Sequence, residues 1–493
     1  LVKIGMGLPP GSPRTDNKIV GVDDCTSFIE GVVDRLLDRL HEELASLERR
    51  QMLLKIYANI EKGNAQEDQW RRTSAAIIGL HGENREGIQA YIDHSSKYSG
   101  AIVACRIVAE IALCACPLGS GQRMSNLELS RVMAITSLIY RLGGLSDAIK
   151  YNALPPELHV SPFGDILSKD DFGKFVVQPM LSNVIGQRFK ELAPWQKKNY
   201  EEPEFVPSVK DKIDNEFWEI WTEEMGFDID QARNIVESLE DHGVKNQKAV
   251  FELQRSELIE LCENETVKRE TVERFLGRFT LATRKKWATP PKGFAVREIY
   301  PWRLGRRLSL VARPILQFET EPDPTLIIAP NSIRQSVMYL ISGAHSGRLG
   351  QEFFESSKMR NEWWGKASSG HAHTRSVANK LQDAGWQVRV EIGLPEILQR
   401  KMEQEFGDVD VLAWHHERND VLIIECKDLS LARNYTEAAH LLSEYQGIEK
   451  NGELDNLAKH LRRFEILQAE LKQVGAFCEV DSPSLHSALV FKG

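Results

Sequence analysis

Gly407-Asp408-Val409-Asp410-Val411-Leu412-Ala413-Trp414, followed after a polar turn by Val421-Leu422-Ile423-Ile424-Glu425-Cys426-Lys427, reads as a β-hairpin with acidic residues and a lysine gathered at one end. Side chains alternate along a strand, so Asp408 and Asp410 share one face, as do Glu425 and Lys427. Val409, Val411 and Cys426 are then expected to turn the other way, into a core. The connection His415-His416-Glu417-Arg418-Asn419-Asp420 is polar and ends in Asn-Asp, residues that tolerate the backbone of a tight reversal. The two strands are therefore expected to be antiparallel neighbours.

Carboxylates brought within a few ångströms repel and raise one another's pKa, and a hard divalent cation removes that cost by taking their oxygens as ligands. Mg²⁺ or Mn²⁺ held by Asp410 and Glu425 polarises a phosphoryl oxygen and acidifies a bound water. Lys427 beside it orients that water or offsets charge developing on phosphorus. This is the chemistry of phosphodiester hydrolysis without a covalent intermediate, with Asp408 outside the ligand set. By itself a Glu-x-Lys at a strand end is usually a solvated edge; the paired strands give it weight.

Asp410 at the start of one apolar strand and Glu425-Cys426-Lys427 at the end of the next resemble the acidic residue and the Glu-x-Lys of the PD-(D/E)XK nuclease superfamily, the restriction-endonuclease-like fold. The flanking pattern is similar too. Ser376 to Gly385 reads as a helix ending at a glycine and Trp386 to Ile392 as a first strand; residues 430–447 and 454–472 read as helices and Ser487 to Phe491 as a late strand. The resemblance covers the last quarter to third of the chain. It implies DNA as substrate and partner, Asp410, Glu425 and Lys427 as catalytic residues, and a role in restriction, phage defence or DNA processing. An RNA-cleaving nuclease, or a non-catalytic DNA-binding or assembly module on a degenerate nuclease fold, are the competing readings.

Two departures stand out. The first helix, opening His371-Ala372-His373-Thr374-Arg375, lacks the acidic residue that many relatives carry there; Glu352 is the first substitute and Glu391 the second. Gly393 to Phe406 forms an insertion between the first two strands, expected to be part helical. Gln446 is the candidate for a glutamine that recurs on the following helix in parts of the superfamily. His415 and His416 read as solvated turn residues before they read as ligands, and His371 and His373 as an ordinary helix start before they read as phosphate contacts.

At 493 residues and net charge -9, the chain is long enough for several domains and is not globally basic. Local charge differs. From Arg284 to Arg313 nine basic residues (Arg284, Lys285, Lys286, Lys292, Arg297, Arg303, Arg306, Arg307, Arg313) face the single acid Glu298, a balance of +8, with Trp287, Phe294, Tyr300 and Trp302 interleaved. Such a segment suits a DNA contact made by Arg303, Arg306, Arg307 and Trp302. It equally suits an interdomain connector whose arginines pair with acidic helices.

Residues 26–150 carry apolar residues at helical spacing, with Ser125-Asn126-Leu127-Glu128 capping a helix that Gly143-Gly144 is expected to stop. Gly119-Ser120-Gly121-Gln122 lacks the Gly-Lys-Ser/Thr of a phosphate loop. Seven scattered cysteines point to a reducing compartment, and residues 101–116, interrupted by Arg106 and Glu110, read as a packed helix and not a membrane span. A cytoplasmic location is expected, with no membrane partner; the helical region can serve a homodimer or a partner subunit. The lack of an initiator Met and an end just after a strand point to a piece of a longer reading frame. The expected architecture is multidomain, α plus α/β: a helical domain over 1–153, an irregular connector over 154–207, a second helical domain over 208–283, a basic linker over 284–335, and a restriction-endonuclease-like α-β-β-β-α-β domain over 336–493.

Overall fold

The computed structural model describes residues 2–3, 17–81, 85–169, 174, 215–364, 371–402, 406–428, 435–450 and 452–492. The chain divides into two compact units. Unit 1 comprises Leu1–Lys150, Pro155–Lys169 and Gly186–Trp364; unit 2 comprises Tyr151–Leu154, Asp170–Ile185 and Gly365–Gly493.

Unit 1 opens with β1 (Val2–Lys3), β2 (Asn17–Val20) and four long helices: α1 (Val22–Ala45), α2 (Arg49–His81), α3 (Arg85–Ala115) and α4 (Asn126–Lys150). On α1 the buried Cys25, Ile29, Val32, Val33, Leu36, Leu40 and Leu44 repeat at three- and four-residue steps, which makes one apolar stripe. Asp23 and Asp24 in its first turn complement the helix dipole. At the start of α4, Ser125 and Glu128 form the expected capping box: the Glu128 amide donates to Ser125 Oγ at 3.2 Å and the Ser125 amide to Glu128 Oε2 at 2.6 Å. The helix does not stop at Gly143-Gly144. It runs on to Lys150, and Gly143 is where Trp302 lies against it: a Cβ there would clash with the indole.

The windows Tyr98–Ala115 and Asn126–Lys150 are long and apolar enough to cross a membrane, and 56% and 61% of them is buried inside the unit. Between α4 and the next helices, β3 (Glu157–Val160) and β4 (Asp165–Leu167) complete a sheet in the order β1-β4-β3-β2. The start of the expected irregular connector is therefore strand, and most of its remainder lies outside the described residues.

The expected second helical domain is helical only in part. It holds α5 (Asn215–Met225), α6 (Ile229–Lys245), β5 (Phe251–Gln254), α7 (Arg255–Cys262), α8 (Arg269–Phe279) and β6 (Thr280–Ala282). Its strands join β7 (Ile315–Gln317) and β8 (Thr325–Ile328) in the order β5-β8-β7-β6, ahead of α9 (Pro330–His345). So 284–335 is no linker, and unit 1 extends to Trp364, beyond the expected boundary at 335.

Arg303, Arg306 and Arg307 of the basic segment belong to the packing of unit 1, because their charges are matched there. Arg306, 5% exposed, pairs with the buried Glu110 of α3 and donates to the carbonyls of Glu298, Arg303 and Leu308. Arg303 pairs with Asp147 at 3.2 Å, and Trp302 donates its indole N–H to the same carboxylate at 3.0 Å. Arg307 pairs with Glu298 at 2.9 Å. Acids on distant helices supply the counter-charge for Arg303 and Arg306, as in the connector alternative, and Glu298 within the segment supplies it for Arg307.

Unit 2 contains α10 (His371–Asp383), β9 (Gln387–Gly393), α11 (Leu394–Ile397), β10 (Asp408–His415), β11 (Asp420–Asp428), α12 (Tyr435–Leu442), β12 (Glu449–Lys450), β13 (Glu453–Leu454), α13 (Asn456–Ala469), α14 (Leu471–Cys478) and β14 (Ser484–Lys492). The main sheet runs β14-β11-β10-β9, with β14 parallel to β11 and the other pairs antiparallel. Asn419, at the end of the hairpin turn, takes the left-handed backbone expected there, with φ 54°. One sheet face packs Leu412, Trp414, Val421 and Ile423 against Leu467, Val474 and Cys478 of α13 and α14. The other packs Val411, Ala413, Ile424 and Cys426 against Val377 and Leu381 of α10. The first helix, three strands, following helices and late strand come in the order the sequence led us to expect.

Candidate active site

Antiparallel pairing of Val411 with Ile424, continued one step, sets Asp410 opposite Glu425. The pairing is pinned by a side chain: Asp410 Oδ2 accepts the backbone N–H of Cys426 at 2.7 Å. Because Val421 and Ile423 face α13 and α14, the alternation turns Glu425 and Lys427 the same way. Lys427 Nζ lies 3.2 Å from Glu425 Oε1 and 4.0 Å from Asp410 Oδ2. The three residues singled out in the sequence thus form one cluster. Asp408 stands exposed at the start of β10.

One expectation about this hairpin is corrected. Val411 and Cys426 belong to the α10 side of the sheet, but Val409 belongs to the α13–α14 side, with its strand partner Ile392. The alternation breaks in both strands between these positions. In β9 the break is at Glu391, whose φ of 54° puts a residue with a side chain in the left-handed region in the middle of a strand. Asp410 sits at the corresponding point of β10, so its carboxylate comes from a local departure from the regular pleat.

Helix α13 completes the cluster with residues that the sequence did not bring forward. His460, Arg463 and Leu467 are its buried positions, three and four residues apart. Arg463 pairs with Glu425 Oε2 and also donates to the carbonyl of Phe406 at 3.3 Å. His460 Nδ1 is 3.8 Å from Glu425 Oε2, and its Nε2 is 2.8 Å from Ser487 Oγ on β14. The signal was present: a histidine and an arginine in the apolar stripe of an amphipathic helix require partners inside.

The titration of these groups follows from burial and proximity. Burial, then the neighbouring Glu425 charge, holds the Asp410 carboxyl above the usual range. Burial, then the Arg463 charge, pushes the His460 imidazole down to about 4, so the ring is neutral at pH 7. The Tyr445 hydroxyl is raised by burial and then by Glu425. Burial, then Asp410 and Glu425, pushes the Cys426 thiol up to about 12, an inert core sulfur.

The remaining candidates do not join the cluster. Glu352 belongs to unit 1, in a 3-10 turn, where it pairs with Arg297 at 3.1 Å. Gln446 lies beyond the end of α12, not on it, and donates its side-chain amide to the Tyr151 carbonyl at 2.8 Å. His416 meets the Glu479 carbonyl at 3.1 Å. Arg303, Arg306, Arg307 and Trp302, the residues expected to contact DNA, make ion pairs and hydrogen bonds within unit 1.

The donor set suits a hard cation. Mg²⁺ commonly binds through one or two carboxylates and keeps several waters, which Asp410 and Glu425 can match. Among the described residues no group of three or more His, Cys, Asp or Glu is gathered for a metal. Both Glu425 oxygens also have cationic partners, Lys427 and Arg463.

A family model described as "Anti-phage protein Upx-like" matches residues 1–493. The chain belongs to the Upx-like anti-phage family. Membership spans both units and supports a part in phage defence, the one among restriction, defence and DNA processing that the family favours. No nuclease family is shown for this Upx-like chain. No curated protein and no solved structure matches it.

Proposed function

We propose that this Upx-like protein is a Mg²⁺- or Mn²⁺-dependent endonuclease that hydrolyses DNA phosphodiesters in defence against phage. The observation that carries the reading is the convergence of Asp410, Glu425 and Lys427 on one sheet face of unit 2, within 3.2 to 4.0 Å of Lys427 Nζ. The α-β-β-β-α-β order around them supports a restriction-endonuclease-like fold for unit 2.

Asp410 and Glu425 would hold the ion, which when bound supplies a Lewis acid for a phosphoryl oxygen and a more acidic water. The chain's own residues do the rest. Cys426 N–H fixes the Asp410 carboxylate in place, and Lys427 supplies a positive charge next to both acids, where it stabilises charge gathering on the phosphate. The neutral His460 ring supports the buried side of Glu425 without adding a further cation.

The test is cleavage of supercoiled plasmid, linear duplex, single-stranded DNA and RNA in Mg²⁺, Mn²⁺ or EDTA. Metal-dependent nicking or cutting of DNA is the expected result, and cleavage of RNA alone would reassign the substrate. A second reading, a non-catalytic module on the same fold, is favoured by one observation: both oxygens of Glu425 are held by cationic side chains. Binding of DNA without cleavage under every metal condition would select it.

A further inference from the structure

Glu425 is 5% exposed and engages Lys427 through Oε1 and Arg463 through Oε2, while Arg463, itself 5% exposed, comes from α13 and not from the hairpin. Two carboxylates, Asp410 and Glu425, therefore face two cations, and the cluster's formal charges balance without any ion. The cost of crowding acids at adjacent strand positions, which a divalent cation would relieve, is already offset by a guanidinium. A metal ion that takes Glu425 Oε2 has to displace Arg463 or accept a like charge within a few ångströms.

Resting on the nuclease reading above, we propose that Arg463 is a positioning residue that competes with the divalent cation for Glu425, so that metal loading and the Arg463–Glu425 pair are alternatives. The guanidinium holds Glu425 in the buried position a ligand needs and sets how much free metal is required to occupy the site. Lys427 does not compete in the same way, since it engages the other oxygen from the same strand and its side chain is partly exposed, against 6% for Arg463. When Arg463 leaves Glu425, its Nη1 keeps the bond to the Phe406 carbonyl, and its Nε, buried without a hydrogen bond where it stands, has none to lose. The side chain is thus incompletely satisfied where it stands, which lowers the cost of its moving.

The full-length protein is titrated with MnCl₂, free Mn²⁺ being followed by electron paramagnetic resonance, and melted at rising MgCl₂, for the natural chain and for Arg463→Met, Arg463→Lys and Asp410→Asn. Removing the competing charge tightens Mn²⁺ binding in Arg463→Met by on the order of tenfold, the scale of one unit in a carboxylate's affinity for a cation. The same variant melts lower without metal, because Glu425 loses its buried partner, and added Mg²⁺ raises its melting temperature more than that of the natural chain. Arg463→Lys keeps the charge and stays close to the natural affinity. Mn²⁺ binding that depends on Asp410 but is equal or weaker in Arg463→Met overturns the competition, as does an Arg463→Met protein that Mg²⁺ fails to restabilise. Absence of Asp410-dependent Mn²⁺ binding in every protein instead overturns the metal-dependent reading itself, and the competition with it.

Discussion

Asp410 accepts the backbone amide of Cys426, so the first acid of the cluster is tied to the strand that carries the second acid and the lysine. One hydrogen bond both registers the hairpin and aims a carboxylate. These two tasks separate by substitution. Asp410→Asn keeps an acceptor for the amide and removes the charge that burial and Glu425 disfavour, so its melting temperature holds or rises. Metal-dependent cleavage should nonetheless fall by at least about 100-fold, the equivalent of about 3 kcal/mol of lost transition-state stabilisation. Asp410→Ala also strands the amide and should lose about 1–3 kcal/mol of stability. Retained cleavage in Asp410→Asn would remove this residue from the mechanism.

Lys427→Met tests the ammonium. Its contacts at 3.2 and 4.0 Å are to the two acids, so deletion leaves the carboxylates more negative and metal binding equal or tighter. Turnover under saturating Mg²⁺ should drop by roughly 100-fold or more, since the lost charge acts on the phosphate. Calorimetry and single-turnover cleavage on the same preparation separate the two effects. Lost binding with normal chemistry would reverse the assignment.

The hairpin was legible in the sequence because it is local: alternation, a polar turn ending at Asn419, and a Glu-x-Lys fix strand and reversal within 21 residues, Gly407 to Lys427, and every face named but that of Val409, where the alternation breaks. The rest of the site was not, for a physical reason. Arg463 reaches Glu425 across 38 positions and His460 reaches Ser487 across 27, and no period in either segment announces the partner. In unit 1 a charge count left two readings open for the same reason. The basic segment reads as a surface when its own residues are summed, but Glu110 and Asp147 lie more than 150 positions away. Gly143 misled differently: a helix breaker by propensity, it sits inside α4 at the point where Trp302 packs too close for a Cβ.

The buried histidine makes an acid-sensitivity prediction. His460 has a folded pKa near 4 against an ordinary value of about 6.5, so between these limits the folded state binds fewer protons than the unfolded one. Stability therefore rises with pH through that window and is lost as pH falls through it. Asp410, with its raised carboxyl, pulls the opposite way at lower pH. Comparing the natural chain with His460→Gln cancels the Asp410 contribution and keeps a partner for Ser487. Denaturant midpoints measured across the window should fall more steeply with acid for the natural chain; parallel slopes would contradict the burial argument.

Gly143→Ala sets two effects against each other. Alanine is favoured in a helix by about 1 kcal/mol. The new Cβ, however, would sit 2.0 Å from Trp302 Cδ2, and this indole is 8% exposed and bonded to Asp147, so it cannot simply turn away. The clash should win, with a net loss of about 1–3 kcal/mol. In a Trp302→Leu background the same substitution should cost much less. A stabilised Gly143→Ala single variant would show that the indole is not held against α4.

Arg306 separates the structural reading of the basic segment from the nucleic-acid reading. Its guanidinium meets Glu110 and three carbonyls inside unit 1, and Glu110 in turn accepts the Leu310 amide at 2.7 Å. Arg306→Met leaves a buried carboxylate without its counter-charge and should cost about 3–5 kcal/mol; Glu110→Met should cost a similar amount. The double variant should be destabilised by clearly less than the sum, because neither charge is then left alone. DNA binding gives the opposing readout. A phosphate-contacting arginine contributes about one unit to the slope of log affinity against log salt. Filter binding at several salt concentrations, at a temperature where Arg306→Met is folded, should show an unchanged slope. A slope reduced by about one, with stability intact, would return this side chain to the DNA.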